Sequence, residues 1–409
     1  MPTIKPFRAI HPLSAQAVSV VSTIEEMSLE TAKHIRTINP LSFIHLLVPE
    51  LKVDTPEQDK KELAFELIAQ NLHRFLHTGV LNQENEPAIY IYQVFKNQKY
   101  YRGIWTCTLI DDYAKGIIEK HEHIKPKREE QLIDYLEKTG IDANPVLLAY
   151  RTSPTIQHLI SLAIGFRADI EFSKDAEKHS VWKIKDSSII AQFLDCLANI
   201  GTVYIADGHH RISAALKYGL KRRSTEPAYT GKEEFNYFSS IYIPDNELEI
   251  QSFNRLVRFK GAVKPDVFLS LLRQSFSVTP ITTTSEIQNT EIGLYIAGSW
   301  YKLELRPSLL SSNFIDSLAV SVLQDHIIKP LLEIENPEKD ERLDFLSGGY
   351  STKVLEEKVN SSEADIAFYL NPITMNTLTK IADRGDVLPA KSTWFEPKFP
   401  VGLLMHYID

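Results

Sequence analysis

Five consecutive residues, Asp207-Gly208-His209-His210-Arg211, join a short apolar run (TVYIA, 202–206) to a helical pattern, and this junction limits what the surrounding chain can fold into. The run is β-branched and apolar, which reads as a buried strand. Beyond the junction Ile212, Ala215 and Leu216 share one helix face, and Gly219 reads as the helix end. A strand that enters a helix through glycine leaves unpaired N–H groups and a partial positive charge at the turn. Such a turn suits an anion, and Gly208 lets a ligand approach the backbone closely.

The same alternation runs along the whole chain. LSFIHLLVPE (41–50) reads as a buried strand, and Thr55-Pro56 reads as the start of a helix that Gly79 closes. AIYIYQVF (88–95), the turn KNQK and YYRGIWTCTL (100–109) predict a hairpin. Helices are expected at 128–139, 154–164 and 187–199, and strands at 146–150, 180–184, 236–243 and 248–253. Residues 220–234 read as a surface loop. Further on, helices are expected at 267–276, 314–333, 351–359 and 372–383, with strands at 278–282, 292–305, 365–370 and 401–408. The fold class is α+β (mixed α/β), with one domain over 1–260 and a second α/β domain over 261–409.

Composition narrows the function classes. Acidic residues exceed basic ones by 53 to 45, a net charge of −8, so most of the surface would repel a phosphate backbone. No basic run or helix-turn-helix pattern offsets this, which argues against a nucleic-acid partner. No stretch approaches the roughly 18 apolar residues that span a bilayer. The two cysteines, Cys107 and Cys196, lie far apart with no metal-type spacing. A cytoplasmic protein without a membrane partner is expected, and a homodimer is an open state.

Within the junction, Arg211 matches phosphate oxygens bidentately, and His209 and His210 add donors. Asp207 would repel a phosphate unless it caps the helix or binds a metal such as Mg²⁺. The alternative is a plain helix cap with solvated histidines. Zinc on His209 and His210 is disfavoured, because adjacent helical residues diverge by about a hundred degrees and no HxxxH companion exists. A second cluster, Lys120-His121-Glu122-His123, offers Glu122 or His121 as a general base, against the alternative of a charged surface loop. A third, PAKSTWFEPK (389–398), places Lys391, Ser392 and Lys398 beside Trp394 and Phe395. It could contact an anion or simply fold over a core. Arg8 and Arg255 are single candidates for a carboxylate partner.

Taken in order, PFRA (6–9), NPLSFIHL (39–46), the KHEH loop, His179 with Trp182, ADGHHR (206–211), SEAD (362–365) and KSTWFEPK (391–398) resemble domain-of-unknown-function family 1015 nearly end to end. The chain departs from that pattern at QSFNRLVR (251–258), where a His or Tyr is expected at or beside Asn254. The DGHHR turn is similar to that of the ParB/sulfiredoxin-like superfamily, whose members include nucleotide-binding switches, sulfiredoxin and free-serine kinases. The resemblance implies a nucleotide-binding core, ATP or ADP with Mg²⁺, and phosphorylation of free L-serine. On that reading Gly208, His209, His210, Arg211, Lys391 and Ser392 hold the nucleotide, and Asp207 binds Mg²⁺ or orients the acceptor. Glu122 with Asp207, His209 and His210 would form the catalytic set; Arg8, His121, Arg255 and Trp394 would contact the amino acid. A ParB-like nucleotide switch acting on a protein or DNA is the competing reading. Sulfiredoxin-like chemistry would need a cysteine at the turn, and neither Cys107 nor Cys196 falls there.

Overall fold

The computed structural model describes residues 1–25, 27–51, 56 and 59–409. These form two compact units. Unit 1 comprises residues 1–120, 124–248 and 397–409, and unit 2 comprises 121–123 and 249–396. Where the sequence places one boundary near 260, the chain leaves unit 1 after Leu248 and rejoins it after Glu396.

Among the described residues, unit 1 is built on a nine-stranded mixed sheet. From one edge its strands are Ile118–Glu119, Val203–Asp207, Val146–Tyr150, Tyr237–Pro244, Lys99–Leu109, Ile89–Lys96, Glu177–Ile184 and Ile170–Lys174, with Ile4–Lys5 paired to Lys99–Leu109. Val203–Asp207 runs parallel to Ile118–Glu119 and antiparallel to Val146–Tyr150. The expected hairpin forms with Tyr90 opposite Trp105, and its turn residues Asn97 and Gln98 both have positive φ (50° and 63°). That two-residue turn matches the right-handed twist of its strands. Helices Pro126–Thr139, Pro154–Ala163 and Ser187–Ala198 appear where their patterns place them, and His209–Thr225 begins where its pattern does. Asp186 caps the third of these, accepting from the N–H groups of Ser188 and Ile189. The core packs Ile104, Leu148, Phe193, Ile205, Ile212 and Tyr242.

Unit 2 has an all-antiparallel six-stranded sheet among its described residues. Its order is Phe276–Ile281, Ser299–Leu305, Ile292–Ile296, Ile366–Leu370, Phe253–Val257 and Leu343–Ser347. Helix Pro265–Ser275 packs Phe268 and Leu272 into one core with Leu294, Leu303 and Phe368.

Several expectations need correction. Residues 41–50 are not a strand: Phe43–Leu46 is a 3-10 turn, with the Ser42 hydroxyl accepting from the Ile44 N–H. A short apolar run between prolines buries its side chains equally well as a tight turn, and periodicity alone does not separate the two. The helix after the DGHHR turn runs on to Thr225 instead of stopping at Gly219. A Cβ on Gly219 would lie 2.3 Å from Ile110 Cδ1 and 2.8 Å from the Phe235 carbonyl, so this glycine serves close packing and not chain termination. The long helix expected at 314–333 is a short Ala319–Leu323 helix continued by a π-helical turn, Gln324–Ile328. The terminal strand reduces to His406–Tyr407, because Gly402 (φ 80°) packs against the Phe43 ring and breaks the extended run. The expected helix start at Thr55 lies outside the described residues; the helix itself spans Lys60–His77.

Candidate functional site

Strand Val203–Asp207 pairs Tyr204 with Ala149 and Ile205 with Leu148, then shifts register so that Asp207 faces Leu147. Such an irregularity re-aims the side chain at a strand end. Helix His209–Thr225 begins immediately, capped by Gly208 at φ 102° and ψ 25°. Gly208, not Asp207, occupies the cap position of this helix. The Asp207 carboxylate instead faces cations. Arg211 Nη2 donates to Oδ2 at 2.7 Å, and Lys398 Nζ stands 3.8 Å from Oδ1. Arg211 reaches Asp207 by folding back over Gly208, where a Cβ would lie 2.7 Å from its Nε. Glycine is required there twice, for the left-handed backbone and for the guanidinium above it.

Burial alone would raise the Asp207 pKa, but Lys398, Arg211 and then His209 outweigh it and hold the carboxyl well below the usual range. Asp207 is therefore a fixed anion that orders two cations at the mouth of a helix N-terminus. His209 is buried; His210 is half-buried and its Nδ1 accepts from the Lys125 N–H at 3.3 Å.

Glu25 joins this group electrostatically, although no motif marks it. It sits in an irregular stretch after Ser22, with no motif around it. Its Oε2 is shut off from solvent and has no hydrogen-bond partner among the described residues. Burial chiefly, and next the negative charge of Asp207, raise its pKa above 4.5, against the opposing pull of Lys398 and Arg211. A buried, unsatisfied carboxylate is costly to keep and marks a place where a ligand proton or donor fits.

Arg8, also in unit 1, is exposed between the buried Phe7 and Ala9. The remaining expected residues belong to unit 2. His121 is buried, with its Nε2 3.4 Å from the Thr393 hydroxyl and its ring 6.0 Å from that of Phe395; Glu122 is half-buried. Ser392 spends its hydroxyl on the Pro389 carbonyl at 2.5 Å. Trp394 donates to Glu396 at 3.0 Å and packs edge-on against Phe253. Lys391 has a left-handed backbone (φ 56°) and places its Nζ 4.8 Å above the Phe253 ring. Arg255 is 3 % exposed; it donates to the carbonyls of Phe253 and Lys391, and burial pulls its pKa down to about 9.

Among the described residues no group of three or more His, Cys, Asp and Glu side chains is arranged to hold a metal, and no helix is long and apolar enough to cross a membrane. Both oxygens of Asp207 face cations, so the residues of this turn do not by themselves form a resident metal site.

Among solved structures, the chain is similar to a free serine kinase in complex with AMP, at 14% identity and TM-score 0.37, covering 71% of this chain and 86% of that one. It is similar to SbnI with a C-terminal truncation from Staphylococcus aureus, at 12% identity and TM-score 0.39, covering 72% and 84%. A conserved hypothetical protein from Pyrococcus furiosus aligns at 14% identity and TM-score 0.35, covering 71% and 90%. No curated protein sequence matches the chain. The family profile described as protein of unknown function (DUF1015) matches residues 4–327, and the chain belongs to that family.

Proposed function

We propose that this protein is an ATP-dependent small-molecule kinase that phosphorylates free L-serine, with a ParB/sulfiredoxin-like nucleotide-binding core in unit 1. The observation that carries the reading is the buried Glu25 Oε2, without a hydrogen-bond partner among the described residues, near a cation-clamped Asp207 at the N-terminus of helix His209–Thr225. Phosphoryl transfer asks a protein chiefly for positioning and charge neutralisation, with one group to take the acceptor proton. Arg211, Lys398 and the N–H groups of the first helical turn supply the positive field for the phosphates. Asp207 holds both cations in place. Glu25 takes the hydroxyl proton of the acceptor while its oxygen attacks the γ-phosphorus; the bond to the β-phosphate breaks and ADP leaves.

Mg²⁺ enters this reading as part of the nucleotide substrate, with Asp207 as a carboxylate near the phosphates. Glu25 takes the role of base that the sequence alone assigned to Glu122, because Glu25 shares unit 1 with Asp207 and its buried Oε2 has no hydrogen-bond partner among the described residues. The serine acceptor rests on the similarity of the DGHHR turn to free-serine kinases.

The test is direct. The protein is incubated with ATP, Mg²⁺ and a panel of free amino acids, and phosphorus NMR follows the appearance of O-phosphoserine. Serine-dependent ADP release with that product supports the reading. ATP hydrolysis that no acceptor accelerates replaces it with a nucleotide switch. If no acceptor consumes ATP and Asp207→Ala leaves nucleotide binding unchanged, the kinase reading falls.

A further inference from the structure

Residues 39–43 (NPLSF) carry part of the family resemblance, and the phosphotransfer chemistry gives them no part. Ser42 and Phe43 are fully buried, so their side chains do not meet a ligand. The turn grips two other stretches of unit 1 instead. The Asn39 amide donates to the Ser19 carbonyl at 2.7 Å, in the last turn of helix Ser14–Val20, while its Oδ1 accepts from the Leu41 N–H at 3.1 Å. The Ser42 hydroxyl lies 3.2 Å from that of Ser22, which is also buried. On its other side the turn meets Gly402, where a Cβ would lie 2.7 Å from the Phe43 ring.

The two gripped stretches meet in one antiparallel bridge. The Ser22 N–H donates to the Val401 carbonyl at 3.1 Å, and the Val401 N–H donates to the Ser22 carbonyl at 2.9 Å. In an antiparallel pair each step forward on one chain is a step back on the other. Three steps from this bridge, Glu25 comes level with Lys398. The electrostatics agree, since Asp207, Lys398 and Arg211 are the charges that act on Glu25. Neither 23–25 nor 398–400 belongs to a strand. The bridge, and whatever braces it, therefore sets where Glu25 stands.

We infer that the 39–43 turn is the positioning element of the site: Asn39 and Ser42 hold segment 19–22, Phe43 holds Gly402, and together they keep Glu25 level with Lys398 and within the field of Asp207. None of the three touches a reacting atom; they act through Glu25. The effect on catalysis rests on the kinase reading, whereas the placement of Glu25 does not. A turn that only stabilised the fold would lower the melting temperature of its variants and leave the Glu25 titration of the folded protein unchanged.

That difference is measurable. In the full chain labelled with ¹³C at the glutamate carboxyl carbons, NMR follows the titration, and the Glu25 signal is the one lost in Glu25→Gln. In the natural protein Glu25 is expected to titrate above 4.5. In the Asn39→Ala, Ser42→Ala double variant it should move back toward 4.5 as the carboxylate gains water. If that variant does not fold, Ser22→Ala decides, because it removes the same hydroxyl pair and leaves Ser42 accepting from the Ile44 N–H. Serine phosphorylation by the variant should show kcat lower by about tenfold to a hundredfold, with KM for ATP within about twofold. In a Glu25→Gln background the same substitutions should cost nothing further in kcat. A shifted titration in a protein that makes no phosphoserine upholds the placement and removes the kinase reading alone. An unchanged Glu25 titration in the folded variant, a natural Glu25 that titrates at or below 4.5, or kcat losses that multiply with Glu25→Gln overturns the inference.

Discussion

Lys398 Nζ stands 3.8 Å from Asp207 Oδ1, on the oxygen opposite the one that Arg211 Nη2 holds at 2.7 Å. Asp207 thus faces two cations, one on each carboxylate oxygen. Asp207→Asn keeps the shape and removes the charge, so both side chains lose their anchor. Under the kinase reading, serine-dependent ADP release should fall by about 10²–10³, the scale of losing a preorganised electrostatic group. The decisive readout is single-turnover phosphoserine formation at saturating ATP.

Glu25 predicts opposite effects on activity and stability. Under the kinase reading Glu25 must be deprotonated to act as base, and burial with the Asp207 charge raises its pKa above 4.5. Activity should therefore climb with pH along an acidic limb above 4.5, and Glu25→Gln should lower kcat by about 10²–10⁴ and erase that limb. For stability the sign reverses. A folded-state pKa raised above the unfolded value gives stability that is present below 4.5 and lost as pH rises through the raised value. Glu25→Gln should thus melt at a higher temperature than the natural protein at neutral pH, and the gap should close below pH 4.5. Calorimetric scans across that range check it.

Gly208→Ala meets two obstacles at one position. The backbone sits at φ 102°, and the new Cβ would lie 2.7 Å from Arg211 Nε. Strain of this kind costs about 1–3 kcal/mol, and Arg211 has to leave Asp207 to make room. Under the kinase reading, nucleotide affinity should fall together with stability, whereas Arg211→Lys should reduce affinity with a smaller loss of stability. Equilibrium unfolding and nucleotide titration on both variants separate the two contributions.

The strand, turn and helix around Asp207 were legible because each element carries its own signal: a β-branched run, a glycine, then apolar residues at helical spacing. Arg211 stood out by its place in the turn, but its return over Gly208 to Asp207 was not legible. Lys398 lies 191 residues from Asp207, and Glu25 sits in a stretch without periodicity, so only tertiary folding brings them to the turn. Pattern reading failed in a different way at Phe43–Leu46 and Gly219. There the same residue types serve two structures, and the choice is made by neighbours such as Phe235 and Ile110 that local sequence does not reveal.

Gly219 gives the sharpest test of that last point. If it ended the helix, Gly219→Ala would change little, since residues beyond it would already be irregular. In the structure the helix continues to Thr225, and the added methyl would meet Ile110 Cδ1 at 2.3 Å and the Phe235 carbonyl at 2.8 Å. The Ile110 side chain can turn away, but the backbone oxygen cannot without moving its 3-10 turn, Glu234–Asn236. Overpacking of this kind costs about 1–3 kcal/mol, more than the gain of up to about 1 kcal/mol in helix propensity from alanine. Gly219→Ala should therefore lower the midpoint of urea unfolding. Adding Ile110→Val should recover part of the loss, and the remainder should persist because it belongs to the Phe235 carbonyl. A midpoint at or above that of the natural protein would restore the reading of Gly219 as a helix end.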